Sequence, residues 1–229
     1  PFKQRIFGIP ALLFFTYFIL CVLVIVLPYE LRDSDSKAYS YIGQKLADQP
    51  IVRWCAPEWR GHGGHEGLFQ DHPPGVLWIT ALIIRLGVPG PSAALCANFL
   101  YIFLTLYFIY LLASYFEGAI LGWAAVFAYV FTPIFLLYLI RANHEHPLNL
   151  AMIAGIYGIV RCEESWKYKA LFVVSLTFAF FVKGIIAFIL TALALVYWIV
   201  FQRNKRTFLF IIMANFFAVG VMYLFELWY

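Results

Sequence analysis

The chain has 229 residues, 64% of them hydrophobic and only 12% charged, with a mean hydropathy of +0.84. A soluble globular domain carries about 25% charged residues, so this chain cannot cover a water-facing surface and the bilayer must be its solvent. The net charge of +4 is spread along the chain with no basic tract interleaved with aromatics, which argues against nucleic acid as a partner. The four cysteines, Cys21, Cys55, Cys96 and Cys162, form no CxxC or disulfide framework.

A membrane-spanning helix needs roughly 20 apolar residues. In chain order the runs that meet or approach this are Pro10–Pro28, Ser92–Leu112, Ala119–Ile140 with a kink expected at Pro133, and the short Pro147–Val160. Tyr168–Phe201 is too long for one span and is interrupted by Lys183-Gly184, so it reads as two helices meeting at one membrane face. Phe208–Tyr229 follows. The fold class expected is therefore all-α and polytopic, with about seven transmembrane helices. The chain starts at Pro1 and ends within an apolar run, as expected of a piece of a longer protein.

Between the first two spans lies a long polar connection, within residues 29–90. Two of its segments have helical patterning but should not cross. Lys37–Asp48 sets Ala38, Tyr41, Ile42 and Leu46 on one stripe, as in an interfacial helix. Val76–Leu86 has too few apolar residues to span.

Basic residues in short loops set orientation. Lys3 and Arg5, then Arg161, Lys167 and Lys169, then Arg203, Lys205 and Arg206 mark alternate ends, whereas the opposite short connections hold only Arg141 and Lys183. The first group marks the cytoplasmic side. The 29–90 loop is then extracytoplasmic, and Asp33, Asp35, Asp71, His72, Arg141, Glu145, His146 and Lys183 all fall on that side. Charge near hydrocarbon is costly, about 2.5–3.5 kcal/mol per residue at a helix centre. Charges kept at helix ends facing one compartment suggest a shared site.

Each group also has a plainer reading. Asp35 or Ser34 can cap the helix over Lys37–Asp48, worth ~1 kcal/mol, or Asp35 can take a proton from an acceptor hydroxyl. Asp71-His72-Pro73-Pro74-Gly75 suits a rigid helix entry, or offers metal ligands or a phosphate partner. His62-Gly63-Gly64-His65-Glu66 is not HExxH, and its glycines fit a mobile loop better than a metal site. Glu145 sits where a helix N-terminus favours its charge. Lys183 can snorkel to the headgroups, but Gly184 after it marks a helix break, tolerated at that depth only against protein or a water-filled cavity.

Taken together, these residues resemble the GT-C glycosyltransferases, in particular the superfamily of protein O-mannosyltransferases and lipid A aminoarabinose transferases. "RDSDSKAYSYIGQKL" resembles the acidic motif after the family's first span, with Asp35 as the leading acid. "QDHPPGVLWITAL" resembles its acid beside His-Pro-Pro. Glu145-His146-Pro147-Leu148 matches its acid-x-Pro-Leu, and "FVKGIIAF" its Lys-Gly. The family often shows Asp-Glu, whereas here Asp35 is followed by Ser36 and preceded by Asp33.

The resemblance implies that residues 1–229 are the N-terminal part of a transmembrane catalytic module that takes a sugar from a polyprenyl-phosphate donor to an extracytoplasmic protein or glycolipid, inverting the anomeric centre. Asp35 would be the catalytic base, with Asp33 and Glu145 orienting the acceptor or shaping the loop. Lys183, Arg141 and His72 would bind the donor phosphate, and Asp71 with His72 could hold a divalent metal ion. The rival readings are a membrane transporter and an inactive subunit of a glycosylation complex. A transporter usually places its site at the midplane between internal repeats, whereas here the charges gather at one face and no repeat is visible.

Overall fold

In a computed structural model of the chain, the described residues are 15, 34–58, 67–68, 73–139 and 141–228. The first expected span (apart from Phe15), Asp33, the glycine-rich loop over 61–66, and Asp71 and His72 lie outside them. Among the described residues the fold is all-helical, with one isolated bridge between Glu58 and Leu68. The helices, numbered here among the described residues, are α1 (Ser34–Ala47), α2 (Gly75–Arg85), α3 (Gly90–Val130), α4 (Pro133–Tyr138), α5 (Glu145–Val160), α6 (Trp166–Lys183), α7 (Phe188–Tyr197) and α8 (Lys205–Trp228).

Among the described residues three runs are long and apolar enough to cross a membrane: Ser92–Val130, Trp166–Gln202 and Lys205–Leu227. Two of them are not continuous helices. At 39 residues, the first would be about 58 Å long at 1.5 Å per residue, roughly twice a hydrocarbon core. It breaks at Glu117-Gly118, where Gly118 has φ +80°, a conformation glycine adopts without strain. Its two arms fold back on each other. Ile102, Leu106 and Tyr110 of one arm share a buried cluster with Val126 and Val130 of the other, and a Cβ at Gly122 would strike Ser114 and the Tyr110 ring. At Phe131-Thr132 the second arm ends, and Pro133 starts α4, the break expected from that proline.

The 37-residue run breaks at Lys183-Gly184, with Gly184 at φ +55°. A 3-10 turn, Gly184–Ala187, then leads into α7. α5 is 16 residues long, about 24 Å. It packs against α6 and α7 through small residues, as membrane helices must when lipid is as apolar as their side chains. A Cβ on Gly158 would lie 2.9 Å from the Phe172 nitrogen, and one on Gly155 would lie 2.5 Å from Leu190.

Helices α1 and α2 pack as a pair. Tyr39, Ile42 and Leu46 of α1 meet Val76, Leu77 and Ala81 of α2, with Trp54 between them. Of the stripe expected to lie in the interface, Ile42 and Leu46 are buried against α2, while Ala38 and Tyr41 are half-buried. Arg85 reinforces the pair by donating from Nε to the Ala47 carbonyl at 2.9 Å while its guanidinium lies 4.9 Å over the Trp54 ring. α1 also starts earlier than its apolar stripe suggests, so Asp35 is a first-turn acid inside the helix.

Candidate functional site

The site lies where Arg141–His144 carry the chain from α4 into α5. Backbone groups in this connection have no helix to satisfy them, and side chains from elsewhere fill that role. Asn98 of α3 donates its amide to the Arg141 carbonyl. Ser36 of α1 accepts the Ala142 N–H on its hydroxyl at 2.9 Å. Asn143 Oδ1 accepts the Glu145 N–H at 3.4 Å. Ser36, Asn98, Asn143 and His144 are all buried, so the connection is held on several sides.

Lys183 meets this connection from the end of α6. Its ammonium donates to His144 Nε2; an ammonium has no acceptor, so that imidazole nitrogen must accept. The Glu145 carboxylate lies 3.4 Å from the same nitrogen. Lysine, histidine and glutamate therefore form one cluster drawn from the α6 break and the α5 start. Lys183 ends α6 with a non-helical backbone at φ −140°, directly before the break at Gly184. It is half-buried and makes its contact with His144 within the protein.

Arg141 lies with its guanidinium 4.9 Å from the centre of the Tyr138 ring. His146 donates from Nε2 to the Tyr138 carbonyl at 2.7 Å and is buried; its role is to hold α4 against α5. Tyr39 of α1 sets its ring edge-on to His144 with centroids 6.3 Å apart.

The start of α2 comes to the same place. A Cβ on Gly75 would lie 2.6 Å from the Phe181 carbonyl oxygen, and Trp78 packs on the Phe181 ring at 5.2 Å. The Pro73-Pro74-Gly75 entry thus abuts the last turn of α6, two residues before Lys183. Asp35 is exposed in the first turn of α1, one residue before the Ser36 that is fixed to Ala142. Glu145 and Lys183 thereby meet at His144, on the connection that Ser36 ties to the helix carrying Asp35, while the Arg141 guanidinium packs on Tyr138; Asp33, Asp71 and His72 lie outside the described residues. Among the described residues no three His, Cys, Asp or Glu side chains form a metal-sized group.

Beside the cluster, between the 129–138 stretch and α5, is a cavity of about 420 Å³ with Glu145 on its wall. Sequence reasoning passed over His144, Asn98 and Ser36. Asn98 carried a usable signal, a lone amide in an apolar run; His144 and Ser36 became visible only through their tertiary partners.

No curated protein sequence and no solved structure matches the chain. The family model described as dolichyl-phosphate-mannose-protein mannosyltransferase matches residues 71–228, which takes in α2 through α8 and so the Lys183–His144–Glu145 cluster. The match spans more than two thirds of the chain, whose long apolar helices fit a protein embedded in the membrane, and the chain therefore belongs to this family of GT-C type glycosyltransferases.

Proposed function

We propose that the protein transfers a sugar from a polyprenyl-phosphate donor to a hydroxyl acceptor on the extracytoplasmic side of the membrane. The observation that carries this reading is Lys183 turned inward at a helix break onto His144 and Glu145, with Arg141 three residues away in sequence from His144. Two cations at the outer end of apolar helices fit a lipid-borne phosphate, whose charge grows as the sugar leaves.

In this mechanism the Asp35 carboxylate accepts the acceptor's hydroxyl proton. The freed oxygen attacks the anomeric carbon while the bond from that carbon to the phosphate oxygen breaks. The electron pair goes to the phosphate, stabilised by Lys183 and Arg141, and direct displacement inverts the configuration. Asp33 shapes the acidic loop. His72 belongs with the phosphate ligands, and Asp71 with His72 would supply the ligands of a divalent ion. Seven crossings fit the helix breaks at Glu117-Gly118 and Lys183-Gly184 together with a first span over 10–28. In that topology residues 29–90 form the outer loop of a catalytic module that fills 1–229.

Lys183 gives the direct test. Binding of dolichyl-phosphate mannose to the purified full-length protein should weaken strongly in Lys183→Ala and be partly kept in Lys183→Arg, which retains the charge but changes its geometry. Equal affinity of both variants and the parent would remove Lys183 from the site.

A further inference from the structure

A second, much smaller cavity lies inside the fold, where α1, α2 and α3 meet the connection into α5. Its volume is about 10 Å³, the space that one water molecule needs. Ser40 of α1, Thr80 of α2, Asn98 and Tyr101 of α3 and Asn143 of the connection line it, and all five are buried. Internal cavities that stay dry have apolar walls, whereas a polar wall around a space of this size holds water.

One group in this wall needs a partner. The Tyr101 hydroxyl is buried and makes no hydrogen bond among the described residues. Its ring is packed near Phe178 of α6, with centroids 6.3 Å apart, and the residue is 4% exposed, so bulk solvent does not serve it. A phenol buried in this way ordinarily finds a hydrogen bond, and a buried polar group left without one is costly.

The same wall is tied to the candidate site. Asn98 donates to the Arg141 carbonyl. Ala142, whose N–H is held by Ser36, lines the cavity. Asn143, also on the wall, accepts the Glu145 N–H. Tyr39, a further lining residue, sets its ring edge-on to His144. Each residue from Arg141 to His144 therefore lines the cavity or is held by a residue that does.

We infer that this cavity binds one ordered water molecule, with the Tyr101 hydroxyl as its anchor, and that Tyr101 acts through that water as a positioning residue for Lys183, His144 and Glu145. The hydroxyl itself bonds to none of the three. A buried water makes about three hydrogen bonds, so it joins α3 to the groups that α1, α2 and the connection bring to the same wall. The positioning role rests on the transferase reading above; the water does not.

The test is thermal unfolding and sugar transfer by the purified full-length protein in lipid nanodiscs, comparing the parent with Tyr101→Phe, Thr80→Val and the double variant. Each substitution keeps the shape of the side chain and removes a hydroxyl. With water bound, Tyr101→Phe should lower the unfolding midpoint by about 2 °C, the worth of one hydrogen bond. The double variant should lose less than the sum of the two single losses, because one water is given up only once. Turnover should fall about tenfold in Tyr101→Phe, less than a full 1 Å misplacement would cost. It should stay at the parent's level in Thr207→Val, which loses bonds to Glu163 and Gln202 beyond the far end of α5. A midpoint for Tyr101→Phe equal to or above the parent's would overturn the water, since deleting a hydroxyl that has no partner relieves a cost. Strict additivity would deny the two hydroxyls a common water. A lowered midpoint with parental turnover would overturn the positioning role. No transfer by the parent would refute the transferase reading and the positioning role with it, while the midpoints still decide the water.

Discussion

Gly75→Ala adds one carbon at the contact between the start of α2 and the last turn of α6. The new Cβ would lie 2.6 Å from the Phe181 carbonyl oxygen and 2.9 Å from the Phe181 carbonyl carbon. These are backbone atoms, so no side-chain rotation can relieve the overlap. Ordinary contact begins at 3.4 Å, and the difference, 3.4 − 2.6, requires the two segments to part by about 0.8 Å. Overpacking of this kind costs about 1–3 kcal/mol, and at roughly 2–4 °C per kcal/mol for a chain of this size the loss is measurable. The larger effect should be on turnover. Phe181 is two residues from Lys183, and a misplacement near 1 Å can cost about 10²-fold in rate. The assay is thermal unfolding in lipid nanodiscs beside sugar transfer by the full-length protein, with Gly220→Ala as control, since a Cβ there meets nothing within 4 Å. If Gly75→Ala matches the control in both measurements, the contact between α2 and α6 does not position the site.

Asp35→Asn should fold and bind donor yet lose about 10²–10⁴-fold in turnover, as expected for a lost general base, while Asp33→Asn should be milder; the reverse order in the transfer assay would exchange their roles. Arg161 holds the Glu164 carboxyl below its usual range through their hydrogen bonds. Stability from that pair is therefore present above the ordinary carboxylate pKa and is lost as pH falls through the lowered one. The Glu164 carboxylate is exposed while Arg161 is half-buried, so Glu164→Gln should cost only about 0.2–1 kcal/mol near neutral pH, a gap that closes in acid when unfolding is followed against pH. Cys55 is partly exposed and its thiol is pushed up by burial, so a membrane-impermeant thiol reagent on intact cells should label it slowly at neutral pH and faster as pH rises; labelling of Cys162, which is buried, would invert the proposed orientation.

The breaks in the helices were legible in the sequence because each is local. Lys183-Gly184 pairs a charge with the residue that best tolerates positive φ, and Pro133 cannot continue a helix it does not begin. The separation of Ser92–Leu112 from Ala119–Ile140 likewise agrees with the turn at Glu117-Gly118. Partnerships across the chain were not legible. Ser36 and Ala142 are 106 residues apart, and no period or motif connects them. Asp35 drew attention as a cap, yet the hydroxyl beside it makes the tertiary bond. The α1 stripe shows the same limit: an apolar face reads alike whether lipid or α2 covers it, and only packing decides.

The far end of the bundle is built quite differently from the site. Arg161 is stacked within 4.3 Å of the Tyr168 ring centre and also faces Tyr115 and Tyr157, while Glu163 accepts hydrogen bonds from Asn204 and Thr207. These contacts join α3, α5, α6 and α8 by groups that reach no cavity wall of the site. Such a knot acts like the rivet of a pair of tongs. Helices fastened there part more easily at their other ends, where Lys183, His144 and Glu145 meet, so on the proposed function the rivet would move least when substrate is admitted. Sequence change near the Lys183, His144 and Glu145 cluster can accordingly alter that end without loosening the joint at the other.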